Sequence, residues 1–162
     1  MLYRIKQFFQ GVTAKIYDED IVFIKSHLSE KEQNLFFQLR KSEQRHCLNV
    51  AYGCHQEAPQ NPDLVKAALL HDIGKIGSNL TLVNKSFVVI IQKLKLKGKM
   101  LPPFLQKALH YKNNHAELGY QLLLKLQLND RILFLVRNHH TDHIKDSKER
   151  EMEILQRFDN LY

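Results

Sequence analysis

The segment AALLHDIGK, residues Ala67–Lys75, places a histidine and an aspartate directly after an apolar run. The apolar residues on one face of the preceding helix are Leu64, Val65, Ala68 and Leu69. A helix that continues past Leu70 puts His71 and Asp72 on this same face, where the core is expected. Burial of an imidazole beside a carboxylate is unfavourable unless a partner compensates for it. A metal ion is one such partner, so the segment raises the hypothesis of a buried metal site.

The chain has 162 residues, of which 44% are hydrophobic and 25% are charged, as expected for one soluble globular domain. Its longest apolar runs, FVVII and ILFLV, are too short to span a bilayer. The basic, amphipathic N-terminus has no continuous apolar core of the signal-peptide type. We therefore predict a cytoplasmic protein that does not associate with a membrane.

The formal net charge is +7, which favours anionic partners such as phosphorylated small molecules. Solubility alone is an equally good explanation of this charge. The sequence has no dense block of Lys and Arg with interleaved aromatic residues, so nucleic acid is not a predicted partner. The oligomeric state is not predicted.

Cys47 and Cys54 lie in a segment with a helical apolar stripe. In a helix they are separated by about 10 Å along the axis, because each residue adds about 1.5 Å. This separation is too long for a disulfide. We interpret both cysteines as small buried hydrophobic residues.

Nearly every segment carries the signals of a helix. The spacing of Ser29 and Glu32 predicts a capping box, Ser42 is a candidate N-cap, and Asn61 before Pro62 predicts a helix start. Further helices are predicted in NHAELGYQLLLKLQ, NDRILFLVRNHH and KEREMEILQRFDNLY, while LTLVNKSFVVIIQKL is compatible with a helix or a strand. The fold class is therefore all-α.

No linker divides the chain. We predict a compact helical bundle of five or more core helices over residues 42–162, forming a single structural unit. Residues 1–41 are predicted to form an N-terminal helical extension that packs on this core.

Polar side chains interrupt the apolar stripe of several helices in the same way. His139 and His140 follow Ile132 by seven and eight residues, and Asp159 follows Leu155 by four. The complete set that faces the predicted core is His46, His71, Asp72, His115, His139, His140 and Asp159. Histidine and carboxylate form a ligand set for Zn, Mn and Fe, and a helical bundle can hold such a cage.

The order of His46, His71–Asp72 and Asp159 resembles the pattern of the HD-domain, or HDIG-motif, metal-dependent phosphohydrolases. The segments RHCLNVA and LLHDIGK carry the resemblance, which extends from about Ser42 to the C-terminus. The additional His115 and the His139–His140 pair resemble the dinuclear branch that includes the HD-GYP proteins. The segment HHTDHIKD stands where those proteins carry a glycine-rich signature ending in Gly-Tyr-Pro.

This resemblance implies hydrolysis of a phosphate ester, in a nucleotide or a related small molecule, by a hydroxide that divalent ions activate. Two ions are expected, from among Mn, Fe, Ni, Co and Zn. We assign Asp72 as the bridging ligand, with one ion at His46, His71 and Asp159 and the other at His115, His139 and His140. Asp142 and Asp146 fit the position of Asp159 less well.

Lys75 is the second candidate catalytic residue and is expected to pair with a substrate phosphate. The alternative for Lys75 is a solvated side chain after Gly74 ends the helix. Two other functions stay open for the whole chain: an HD-fold di-iron oxygenase, and a non-catalytic HD module that binds a nucleotide or a partner. His27, His55 and His143 are interpreted as ordinary surface histidines.

Overall fold

A computed structural model describes residues 14–78, 103–141 and 149–162. The regular structure in these ranges is helical, without strands, which confirms the predicted all-α class. The helices are α1 (Asp18–His27), α2 (Glu30–Phe36), α3 (Lys41–Glu57), α4 (Pro62–Leu70), α5 (Pro103–Leu124), α6 (Asp130–Asn138) and α7 (Glu149–Leu161), with a 3₁₀ turn at Ile73–Lys75. No helix in these ranges has the length and hydropathy needed to cross a membrane. The segment predicted as helix or strand, at 80–94, lies outside them.

Two of the three predicted helix starts are confirmed. Asn61 caps α4 by accepting a hydrogen bond from the backbone N–H of Leu64 at 3.1 Å, and Pro62 is the first helical residue. At α2, the N–H of Ser29 donates to the carboxylate of Glu32 at 2.6 Å, as a capping box requires.

The prediction of Ser42 as an N-cap is wrong, because α3 begins at Lys41 after Arg40. A contact outside the helix explains the earlier start. The side-chain amide of Gln44 donates to the carbonyl of Leu39 at 2.7 Å and so holds the preceding turn in place. The backbone N–H of Gln44 then makes the first helical hydrogen bond, to Arg40 at 2.8 Å.

Helix α4 is the central element of the bundle and packs against α3 and α6. Its inward and lateral positions are all apolar and fully buried, as expected for a helix surrounded by other helices. These residues are Leu64, Val65, Ala67, Ala68, Leu69 and Leu70. Helix α7 covers the other side of α3, and α5 packs against α6 and the 3₁₀ turn. Because α4 ends in the interior, the residues that follow it are delivered into the core.

Helix α4 does not continue through His71 and Asp72, since it ends at Leu70. The chain turns at Asp72 (φ −96°, ψ 7°) into the 3₁₀ turn, which lies against α5. Both side chains are nevertheless buried, as predicted. The tight turn allows the backbone of Gly74 to contact α5 beside His115, and this contact brings Asp72 close to His115.

Helix α1 packs against α4 and α2. Its buried carboxylate, Asp20, forms an ion pair with Arg45 of α3. The N-terminal helices are therefore joined to the bundle by apolar contacts and by the ion pair of the buried Asp20. The division of the chain at residue 41 stays a prediction.

We predict that Gly74→Ala destabilises the fold strongly. A Cβ at this position lies 1.9 Å from the carbonyl oxygen of His115 and 2.5 Å from the N–H nitrogen of Gly119, and backbone atoms cannot move aside as a side chain can. The expected loss in the free energy of unfolding is about 3 kcal/mol, near the upper end for overpacking. Denaturant unfolding followed by circular dichroism measures this loss, and an unchanged midpoint would show that the contact is not tight.

Candidate metal centre

The structure brings all seven predicted ligand residues into one cluster in the bundle. They come from different elements, so the cluster exists only when the bundle is assembled. His46 lies on α3, His71 and Asp72 follow α4, His115 lies on α5, His139 and His140 follow α6, and Asp159 lies near the end of α7. His71, Asp72, His115 and His139 are buried, whereas the side chain of His140 is 55% exposed. The cluster therefore reaches the surface at His140.

His46, His71 and Asp159 form the first group of ligand atoms. Oδ1 of Asp159 lies 2.9 Å from Nε2 of His46 and 3.4 Å from Nε2 of His71. One ligand atom from each residue lies within 4.8 Å of the other two, a spacing that suits a single ion. The residues of this group come from α3, the end of α4 and α7.

His115, His139 and His140 form the second group, again with ligand atoms within 4.8 Å of one another. Nε2 of His115 and Nε2 of His140 are 2.9 Å apart. The ring of His139, a member of this second group, is close to both groups, since its centroid lies 5.1 Å from that of His71 and 5.3 Å from that of His115. The two groups are therefore adjacent.

Asp72 lies between the groups and faces each with a different oxygen. Its Oδ2 is 3.6 Å from Nε2 of His71 and 3.8 Å from Nε2 of His46. Its Oδ1 is 3.4 Å from Nε2 of His115. This is the arrangement that a carboxylate needs to contact two ions at once.

Backbone carbonyls determine the tautomer of three histidines. Nδ1 of His71, His115 and His139 lies 2.7–2.9 Å from the carbonyl oxygen three residues earlier in the chain. Because a carbonyl only accepts hydrogen bonds, Nδ1 carries a proton in all three rings, and Nε2 is the atom left to face the cluster. Metal-binding histidines are commonly oriented in this way.

Whether the cluster fits a metal can be judged from the hydrogen bonding of two of these Nε2 atoms. Nε2 of His71 and Nε2 of His139 are buried, and none of the described residues provides a hydrogen-bond partner for them. An unsatisfied buried polar atom costs about 1–3 kcal/mol, so native proteins rarely contain one without a function or a bound group. Ions bound by these atoms would remove that cost, and the donor set therefore fits divalent transition metals.

Lys75 is paired inside the cluster and is not the solvated side chain that was the alternative. Its Nζ lies 2.5 Å from Oδ2 of Asp72 and 3.5 Å from Oε2 of the buried Glu43. Burial alone would raise the pKa of Asp72. The charges of Lys75 and the neighbouring histidines have the larger, opposite effect, so the pKa lies well below its usual value. Burial lowers the pKa of Lys75, and the two carboxylates more than reverse this effect. The pair is therefore fully charged.

The two groups differ in the pKa values of their histidines. Burial lowers the pKa of His71, but the charge of Asp72 outweighs it, and the net pKa is well above the usual value. In the second group burial dominates: the pKa of His115 falls to about 4, and the pKa values of His139 and His140 are also lowered. The first group therefore binds a proton more readily than the second.

Sequence reasoning did not identify Cys47 as a neighbour of the centre's charged side chains. Cys47 is buried, as predicted, but it also lies with His71 and Asp72 in a third group of ligand atoms within 4.8 Å of one another. Its position directly after His46 on a core helix was the available signal. His27 and His55 contact Phe23 away from the cluster. His143, Asp142 and Asp146 lie outside the described residues.

Comparison with known proteins identifies the family. A family model described as HD domain matches residues 44–162, which is most of the chain. No curated protein matches the chain, and no solved structure does. The chain thus belongs to the HD domain family, whose members are generally metal-dependent phosphohydrolases.

Proposed function

We propose that this protein is a metal-dependent phosphohydrolase that cleaves a phosphate ester of a nucleotide or a related small molecule. The observation that carries the proposal is the position of Asp72. Its two carboxylate oxygens face two separate groups of ligand atoms, and each group has the spacing for one ion. A pair of divalent ions that share a carboxylate is a recurrent arrangement for phosphoester hydrolysis.

In this proposal His46, His71 and Asp159 hold one divalent ion, and His115, His139 and His140 hold the other, with Asp72 between them. Ions bound there supply Lewis-acid activation of a water molecule and of the phosphoryl oxygens. The chain itself contributes preorganisation. Hydrogen bonds from Nδ1 to backbone carbonyls fix three of the five rings before any ion or substrate arrives.

We assign Lys75 two tasks. Its ammonium holds Asp72 ionised, at a contact of 2.5 Å, and so preserves the bridging ligand. It also brings positive charge to the centre, where a substrate phosphate can accept a hydrogen bond from it. The side chain of Lys75 is 19% exposed, so it is accessible to a bound substrate.

The exposed side of the cluster indicates how substrate approaches. His140 is the most exposed of the proposed ligands, while His71 and Asp72 form the closed end. We therefore propose that the phosphate enters past His140 and that the rest of the substrate stays outside the buried cluster. We propose a small phosphorylated compound of the cytoplasm as the substrate, and the net charge of +7 favours such an anion.

Metal content is the first test of the proposal. We expect the protein purified without added metal to contain near two equivalents of divalent metal per chain by inductively coupled plasma mass spectrometry. The loaded protein should release inorganic phosphate or a free alcohol from at least one member of a nucleotide and phosphoester panel. Iron as the bound metal, together with substrate-dependent oxygen consumption, would favour an oxygenase. Absence of bound or titratable metal would favour a binding module.

Ligand variants provide the second test. We expect His71→Ala and Asp72→Ala each to lose bound metal and to lose activity by more than the roughly 10–100-fold typical of changes to outer-shell partners. Helix content should be preserved, as judged by circular dichroism. His27→Ala is the matched control, because His27 is a half-buried histidine on α1 that contacts Phe23 instead of the cluster. Full activity in either ligand variant would contradict the assignment.

Proton competition provides the third test. The raised pKa of His71 means that an ion in the first group must displace a proton, whereas the pKa of His115 at about 4 means that the second group stays neutral in mild acid. Affinity at the first group should therefore fall by about tenfold per pH unit below the pKa of His71, while the second group is unaffected.

Retained metal after dialysis at decreasing pH measures this difference. We expect metal content to fall in two steps as the pH is lowered to about 4, with one equivalent lost well before the other. Asp72 and Asp159 have lowered pKa values and remain ionised over this range. Loss of both equivalents with one midpoint would contradict the protonation difference.

A further inference from the structure

The buried wall of the centre contains a thiol. Cys47 is completely buried on α3, and its sulfur, a ring nitrogen of His71 and a carboxylate oxygen of Asp72 lie within 4.8 Å of one another. The proposed function assigns His71 and Asp72 to metal ions but gives Cys47 no task. A sulfur atom this close to two proposed ligands is part of their immediate surroundings.

A buried cysteine is not by itself a site, but a second observation supports this one. Nε2 of His71 is fully buried, and none of the described residues satisfies it by a hydrogen bond. Nδ1 of the same ring is engaged by the carbonyl of Ala68 at 2.8 Å, so Nε2 is the atom left to bind a ligand. In the proposed function this atom holds the first ion, and the sulfur of Cys47 lies within 4.8 Å of a ring nitrogen of the same histidine.

We propose that Cys47 is a sulfur ligand of this centre and that Cys47, His71 and Asp72 together bind a thiophilic divalent ion such as Zn²⁺ or Cd²⁺. The inference rests on the proposed function, because it extends the same metal centre. Thiolate, imidazole and carboxylate are all established ligands of Zn²⁺, whereas Mn²⁺ prefers oxygen and nitrogen donors. The sulfur therefore gives the centre a preference for thiophilic ions.

Binding of an ion by the sulfur of Cys47 releases the proton of its thiol. Burial raises the pKa of the Cys47 thiol, so without an ion the sulfur carries its proton. When the sulfur–metal bond forms, the S–H bond breaks and the proton passes to solvent, as in other thiolate sites. No oxidant or further reactant is required.

Cys54 provides a matched control. It is the other cysteine of the chain and is also buried and free on α3, two turns beyond Cys47. Among the described residues, Cys54 is in no group of three ligand side chains with metal-binding spacing. The two cysteines are therefore alike in burial and different in their distance from the centre.

Cobalt titration of the metal-free, full-length protein tests the proposal. Visible d–d bands report Co²⁺ binding of any kind, and an intense near-ultraviolet charge-transfer band reports a sulfur ligand. We expect both signals in the wild type and in Cys54→Ala. In Cys47→Ala we expect the near-ultraviolet band to disappear while the visible bands remain.

The selectivity of the variants gives a second readout. We expect Cys47→Ala to weaken Cd²⁺ binding by about 10–100-fold, with Mn²⁺ binding changed by about twofold or less. Cys54→Ala should leave both affinities unchanged. A loss of Cd²⁺ and Mn²⁺ binding to the same extent would overturn the sulfur ligand and indicate a packing role for Cys47.

The outcomes separate this inference from the proposed function. Visible bands without a near-ultraviolet band in the wild type would overturn the sulfur ligand and leave the metal centre intact. Absence of both bands would overturn both proposals. If Cys47→Ala does not fold, Cys54→Ala still decides the assignment, because a band that survives in this variant comes from the one remaining cysteine. A band lost in Cys54→Ala would overturn the role of Cys47.

Discussion

The carboxylate of Asp72 is buried almost completely, and an isolated charge in such a position costs several kcal/mol. The surrounding elements compensate for this charge from every side. Lys75 contacts one oxygen at 2.5 Å, and three histidines lie within 4 Å of the carboxylate. Asp72 reaches this position because the chain turns sharply after Leu70 and packs against α5 at Gly74. The close backbone contact and the buried charge are therefore parts of one arrangement.

The two groups of ligands differ in what surrounds their buried histidines. In the first group, Oδ2 of Asp72 and Oδ1 of Asp159 lie 3.6 and 3.4 Å from Nε2 of His71. Burial lowers the pKa of His71, but the charge of Asp72 outweighs burial and raises it. In the second group burial lowers the pKa values of His115 and His139, and none of the described residues makes a hydrogen bond to Nε2 of His139. An ion bound by either group would stabilise the fold, because a ligand that binds only the native state shifts the folding equilibrium toward it.

The helical class, the capped start of α4 and the convergence of the seven polar residues could be predicted, because each depends on local signals or on helical periodicity. The end of α4 at Leu70 could not be predicted, because it depends on the contact of Gly74 with α5, which joins residues far apart in sequence. The start of α3 was predicted wrongly for a similar reason, because the hydrogen bond from the side-chain amide of Gln44 to the carbonyl of Leu39 lies outside the helical pattern. The pairing of Lys75 with Glu43 also depends on assembly of the bundle. The ligand roles and the domain division stay predictions.

Helix α3 connects the centre to the N-terminal part of the chain. Its inner side carries His46 and Cys47, and its outer side carries Arg45, which forms an ion pair with the buried Asp20 of α1. Asp20 also accepts hydrogen bonds from the Tyr52 hydroxyl at 2.9 Å and from a backbone N–H at 2.8 Å. Rotation of α3 about its axis would break this network, and a buried charge left unpaired is strongly destabilising. Helix α1 thereby stabilises the orientation of His46, although all the proposed ligands come from later elements.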